Sequence, residues 1–119
     1  MDNNFDGGEA LYRAVLPSSS YIKEDGSISS GAFKDKKGLS VDRGNYRSDR
    51  EVVDNMKHRL NGRIAKFYVQ DCYDVEAVPM YLPEEDDEFH SEIHKSSSEI
   101  RLSDRQARHS SRVAKFIFE

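Results

Sequence analysis

Apolar and polar positions alternate along this chain in short segments of two different periods. Residues 10–16 (ALYRAVL) are rich in strand formers and stop at Pro17, ahead of three serines, which predicts a first strand. Between 21 and 45 the apolar pieces are brief (Ile28, Ala32 with Phe33, then 39–41), and Gly26, Gly31, Gly38 and Gly44 break them up. That spacing suits loops and short strands lying over a sheet. Ser48-Asp49-Arg50-Glu51 fits a capping box, in which the Ser48 hydroxyl accepts from the Glu51 amide and the Glu51 side chain reaches back. Val52, Val53, Met56 and Leu60 then share one helical face, Lys57, His58 and Arg59 complement the dipole, and Gly62 ends the run, so a helix is expected over 49–61. Residues 63–71 alternate, with Ala65, Phe67 and Val69 on one side and Ile64, Lys66, Tyr68 and Gln70 on the other. Residues 77–82 are strand-like, but Pro79 cannot donate to a ladder, which predicts an edge position or a bulge. After an acidic loop, 89–94 resumes a period of two, placing Phe89, Ser91 and Ile93 opposite His90, Glu92 and His94. A second capping box, Ser103-Asp104-Arg105-Gln106, opens a helix to about 115, and 116–118 close the chain with an apolar segment.

These elements predict an α+β fold, a small and mainly antiparallel sheet packed with two helices. The candidate core is Val15, Phe33, Val41, Val52, Met56, Leu60, Phe67, Val69, Val78, Met80, Ile93, Val113 and Phe116. Residues 1–9 are polar and glycine-containing around an isolated Phe5, the composition of a disordered tail, which leaves 10–119 as a single domain. At 119 residues, 36% hydrophobic and 34% charged, the chain is sized for one small domain, and no apolar run approaches the ~18 residues of a membrane span. The acidic, core-less start excludes a secretory signal peptide, and the single Cys72 excludes a disulfide framework. A cytoplasmic setting is therefore expected. With 22 acidic against 18 basic residues and no tryptophan, nucleic acid is an unfavoured partner.

Two clusters could carry chemistry. On a strand, His90, Glu92 and His94 project to one face at intervals of about 7 Å, and imidazole with carboxylate can ligate a divalent metal. An exposed polar sheet face is the commoner use of such a pattern, with an acid/base or substrate-binding role for Glu92 or a histidine next. In the last helix Arg105, Arg108 and Arg112, followed by Lys115, form a basic stripe, to be solvated or paired with the acidic loop Glu84, Glu85, Asp86, Asp87 and Glu88, on this chain or on a partner. His109 lies on that helix's apolar stripe, where a partly buried, satisfied histidine is expected. Cys72, next to Asp71 and Asp74, is expected to be inert. No nucleophile elbow, dinucleotide fingerprint or P-loop is present.

The pieces Leu11-Tyr12-Arg13 with Pro17, SSGAFKD at 29–35 leading to LSVDR at 39–43, and HSEIH at 90–94 together resemble a scattered family of small, uncharacterised bacterial proteins. The resemblance implies a bacterial, cytoplasmic origin and a surface shared by the serine-aspartate and HSEIH segments. A more distant resemblance is to the ADP-ribosyltransferase-like fold, which implies that Arg13, Ser40 and Glu92, in that order, would hold NAD as catalytic residues. The expected function is a non-enzymatic binding or accessory module, without a cofactor, that meets an unidentified partner protein through the acidic loop and the polar strand face. The alternative is a small NAD-handling or metal-assisted enzyme centred on HSEIH.

Overall fold

The computed structural model describes residues 1–118. It contains one six-stranded sheet, with every pairing antiparallel, and three helices. The strands are β1 (Ala10–Val15), β2 (Leu39–Arg43), β3 (Arg63–Tyr68), β4 (Val78–Tyr81), β5 (His90–His94) and β6 (Lys115–Phe116), in spatial order β4-β5-β2-β1-β3-β6. The helices are α1 (Asp49–Arg59), α2 (Val69–Tyr73) and α3 (Asp104–Val113). Both capping boxes form, at Ser48 with Glu51 and at Ser103 with Gln106, each satisfying amides that the first helical turn would otherwise leave unpaired. β4 lies at the sheet edge, where Pro79 deprives no inner ladder of a donor.

The two faces of the sheet are covered differently. One face carries Leu11, Val15, Leu39, Val41, Phe67 and Ile93 against α3 and a short 3-10 turn at Ser30–Phe33, with Phe33 edge-on to Phe67 at 5.9 Å. On the other, α1 buries Val52, Val53 and Met56 over Tyr12 and Ile64. Because α1 lies over β1 and β3, no helix covers the β2-β5-β4 half of that face. Tyr12 donates to Asp49 at 2.6 Å and Lys66 pairs with the same carboxylate at 2.9 Å, pinning the start of α1 to the sheet. Gly62, at φ +107°, makes the turn from α1 into β3 so close to the Val15 carbonyl that a Cβ would collide with backbone.

Several expectations are corrected. β3 ends at Tyr68, and Val69 opens the short helix α2 rather than continuing a strand. Leu60, expected in the core, is exposed, because the chain leaves the helix after Arg59 and turns its side chain outward. Val78 and Met80 are half-buried on the uncovered half of the sheet, while Pro79 is buried on the other side. Residues 1–9, expected as a disordered tail, lie against the sheet in this structure. Phe5 is buried, and the buried guanidinium of Arg43 bonds Glu9 twice at 2.8 Å, the Asp2 carbonyl at 2.6 Å and the Asn4 carbonyl at 3.0 Å. Arg43 also stacks 4.0 Å above the Phe5 ring. No helix of the described residues is long and apolar enough to cross a membrane.

Candidate functional site

β1 pairs with β3 over its whole length, but with β2 only at Leu11↔Arg43 and Tyr12↔Asp42. Beyond these pairs the two strands part. The gap is bridged by Arg13, which donates to the Ser40 carbonyl at 3.1 Å, to the Ala32 carbonyl at 3.2 Å and to Asp35 at 2.8 Å. A cavity of about 620 Å³ opens here, walled by Arg13 and Asp35, by Ser40 and Asp42 of β2, by Arg59 of α1, and by Glu84, Asp86, Asp87 and His90. That volume is within the range of small-ligand pockets.

Its floor is a buried charge cluster. Arg59 contacts Asp42 at 2.8 Å and Asp87 at 3.4 Å, and the two carboxylate side chains are 4% and 3% exposed. Burial pushes the Asp42 carboxyl up to about 7, its hydrogen bond to Asp87 and that group's charge add to the rise, and the Arg59 charge opposes it. The Asp42 carboxyl can therefore hold a proton near neutral pH. Asp87 therefore differs from its neighbours in the acidic loop: Glu84, Glu85, Asp86 and Glu88 are exposed, whereas Asp87 turns inward. Arg47 stacks 3.4 Å above the Phe89 ring beside this cluster, and burial lowers its own pKa.

The HSEIH residues divide between two neighbourhoods. His90 Nδ1 lies 2.8 Å from the Leu82 carbonyl, which can only accept, so Nδ1 carries the proton. Nε2 is then free to accept from the Ser40 hydroxyl at 3.3 Å, and it stands 3.7 Å from Glu84. Glu92, directly opposite Ser40 in the ladder, instead bonds His94 at 2.8 Å. That pair lies against Gly38, which adopts φ +104° and where an added Cβ would run into the Glu92 carboxylate. Thus Ser40 and His90 face the cavity together, whereas Glu92 and His94 satisfy each other. Among the described residues, the three-residue set whose ligand atoms converge within 4.8 Å is Asp71, Asp74 and His109. There Asp71 already accepts from the Tyr68 amide, and Asp74 from Gln70. His109 is half-buried as expected, but its Nε2 is buried without a hydrogen-bond partner rather than satisfied. Cys72 is buried, and burial pushes its thiol up to about 12, which keeps it protonated.

The basic residues of α3 do not meet the acidic loop. Arg105 pairs with Glu76 at 3.2 Å, while Arg108 and Arg112 border a separate groove. Sequence reasoning missed Asp42 and Arg59 as site residues. The available signal for Asp42 was its i+2 spacing from Ser40, which places both on one face of β2; Arg59 read as a helix-dipole cation and nothing more. No protein-family model, curated protein or solved structure matches this chain, so neither resemblance gains support from comparison.

Proposed function

We propose that this chain is a binding module, and that the cleft between β1 and β2 receives a basic side chain of a partner protein. The observation that carries the reading is the imbalance of charge around the cavity: Asp35, Asp42, Glu84, Asp86 and Asp87 against Arg13 and Arg59. Both arginines are already engaged by carboxylates, whereas Glu84 and Asp86 at the rim have no lysine or arginine partner among the described residues. A lysine or arginine entering from outside would meet these rim carboxylates, with the Ser40 hydroxyl as a further acceptor. A cytoplasmic setting belongs to the same proposal and rests on the lone, unpaired Cys72.

The test is a titration of the labelled protein with an acetylated hexa-arginine peptide, followed by amide chemical shifts. Shifts should concentrate at Ser40, Asp42 and 84–90. Neutralising the rim with Glu84→Gln and Asp86→Asn should weaken binding about tenfold, the scale of two exposed or partly exposed charge contacts. Shifts spread evenly over the surface, or unchanged affinity in the double variant, would overturn the proposal.

One observation favours a second reading, a hydrolytic enzyme: Ser40, His90 and the Leu82 carbonyl line up as nucleophile, base and orienting group. Against it, four of the five Arg13 N–H groups are engaged by Ala32, Ser40 and Asp35, and Asp35 balances its charge, which weakens it as an anion-stabilising group. Turnover of an activated ester that disappears in Ser40→Ala, with the fold intact, would favour the hydrolytic reading over the binding one.

A further inference from the structure

On the sheet face away from Arg59, the loop ahead of the 3-10 turn and the end of α3 enclose a second hollow, about 480 Å³ in volume. Four cations border it: Lys23 from the loop, Arg108 and Arg112 one turn apart on α3, and Lys115 just after the helix. No carboxylate is among its walls, which otherwise present the hydroxyls of serines 27, 29, 30 and 111. Several cations elsewhere in the fold are paired. Arg13, Lys34, Arg43, Arg59, Lys66 and Arg105 each touch a carboxylate within 3.5 Å. Among the described residues none does so for the four groove cations, although the fields of Lys23 and Arg108 reach Asp25 and Asp104. Asp25 is engaged by the amide and hydroxyl of Ser27, and Asp104 by Lys34 at 2.7 Å. In a chain of net charge −4, like charges gathered without partners repel one another, and a polyanion would relieve that repulsion.

We infer that this groove binds the diphosphate or triphosphate group of a small ligand of nucleotide size. Guanidinium groups one helical turn apart can bracket adjacent phosphates with forked hydrogen bonds, and the Ser29 and Ser30 hydroxyls can donate to the remaining oxygens, whereas those of Ser27 and Ser111 already donate to Asp25 and the Arg108 carbonyl. Four cations match the charge of a polyphosphate. The acidic remainder of the molecule disfavours a long nucleic acid, whose phosphates would run beyond the groove.

The test is calorimetry at low salt with inorganic pyrophosphate, tripolyphosphate, ADP, sulfate and a twelve-nucleotide single strand, on the unaltered chain and on Arg108→Ala/Arg112→Ala. Both arginines are exposed on a helix, where alanine preserves helicity, and circular dichroism checks that the fold is kept. Tripolyphosphate and ADP should bind saturably and at least about tenfold tighter than sulfate, and the double variant should lose about tenfold or more. Polyphosphate binding no tighter than sulfate, affinity unchanged in the variant, or binding of the oligonucleotide alone would each overturn the assignment.

Discussion

The two hollows follow opposite rules of charge. In the cleft between β1 and β2, cations and carboxylates are built into the same walls, and Arg59 lies between two buried acids. In the groove beside α3, four cations face one another across serine hydroxyls with no acid among the walls. Removing a charge from the cleft exposes its partner to a dry environment, whereas removing one from the groove relieves repulsion in contact with water. The first arrangement makes stability depend on the charges, and the second leaves them free for a ligand.

The sharpest way to break this contrast is Arg59→Ala, which leaves Asp42 and Asp87 facing each other without the cation that contacts both. Urea denaturation at pH 7.5 should show a loss of about 3 kcal/mol, the low end of the cost of breaking a buried pair, because Arg47 remains beside the two acids. A loss under 1 kcal/mol would mean that the cleft is as solvated as the groove. Arg43→Ala extends the comparison to a fully buried cation, one that holds the N-terminal segment through Glu9 and two carbonyls. It should cost about 2–3 kcal/mol, because the freed segment can recover water that the Arg59 partners cannot. Hydrogen exchange should show the Gln70 amide, which donates to the Gly7 carbonyl, losing protection as residues 2–9 detach.

A smaller effect comes from pH. The Asp42 carboxyl is raised to about 7 in the fold, from about 3.9 in the unfolded chain, so the folded state holds the extra proton between those values. Its contribution to stability is fully present at low pH and is lost as pH rises through 7. Relative to Asp42→Asn, the unaltered protein should lose on the order of 2 kcal/mol of unfolding free energy between pH 5 and pH 8, measured by denaturant melts at each pH. A difference that stayed flat across that range would show that burial does not raise the Asp42 carboxyl. The smallest change belongs to the groove. Arg108→Ala/Arg112→Ala should alter unfolding free energy by less than about 0.5 kcal/mol without ligand, and any change should favour stability as repulsion falls.

Much of the fold was legible in the sequence because its signals are local. Both helix starts follow from a serine and an acceptor three residues later, and the sheet edge at β4 follows from Pro79. The short helix α2 escaped because Val69 continues the alternation of β3, and the break is set by the Asp71 carboxylate reaching back to the Tyr68 amide. The N-terminal segment escaped for a different reason: its partner Arg43 lies 34 residues beyond Glu9, and composition carries no record of such a contact. Of the candidate site, HSEIH was visible as a pattern of period two. Its division into a cavity-facing His90 and a self-satisfied Glu92–His94 pair was not, since that depends on Gly38 closing over one end and the acidic loop bordering the other.

By itself, then, the sequence determined the periods, the caps, the α+β class and the presence of an acidic loop and a basic helix face, all of which arise from interactions within a few residues. Tertiary structure alone decided which charges meet. The fold brought Asp42, Arg59 and Asp87 together across 45 residues of chain and placed no carboxylate among the walls of the groove that Arg108 and Arg112 border. Electrostatic energy depends on distance and burial in three dimensions, and neither is fixed by local pattern.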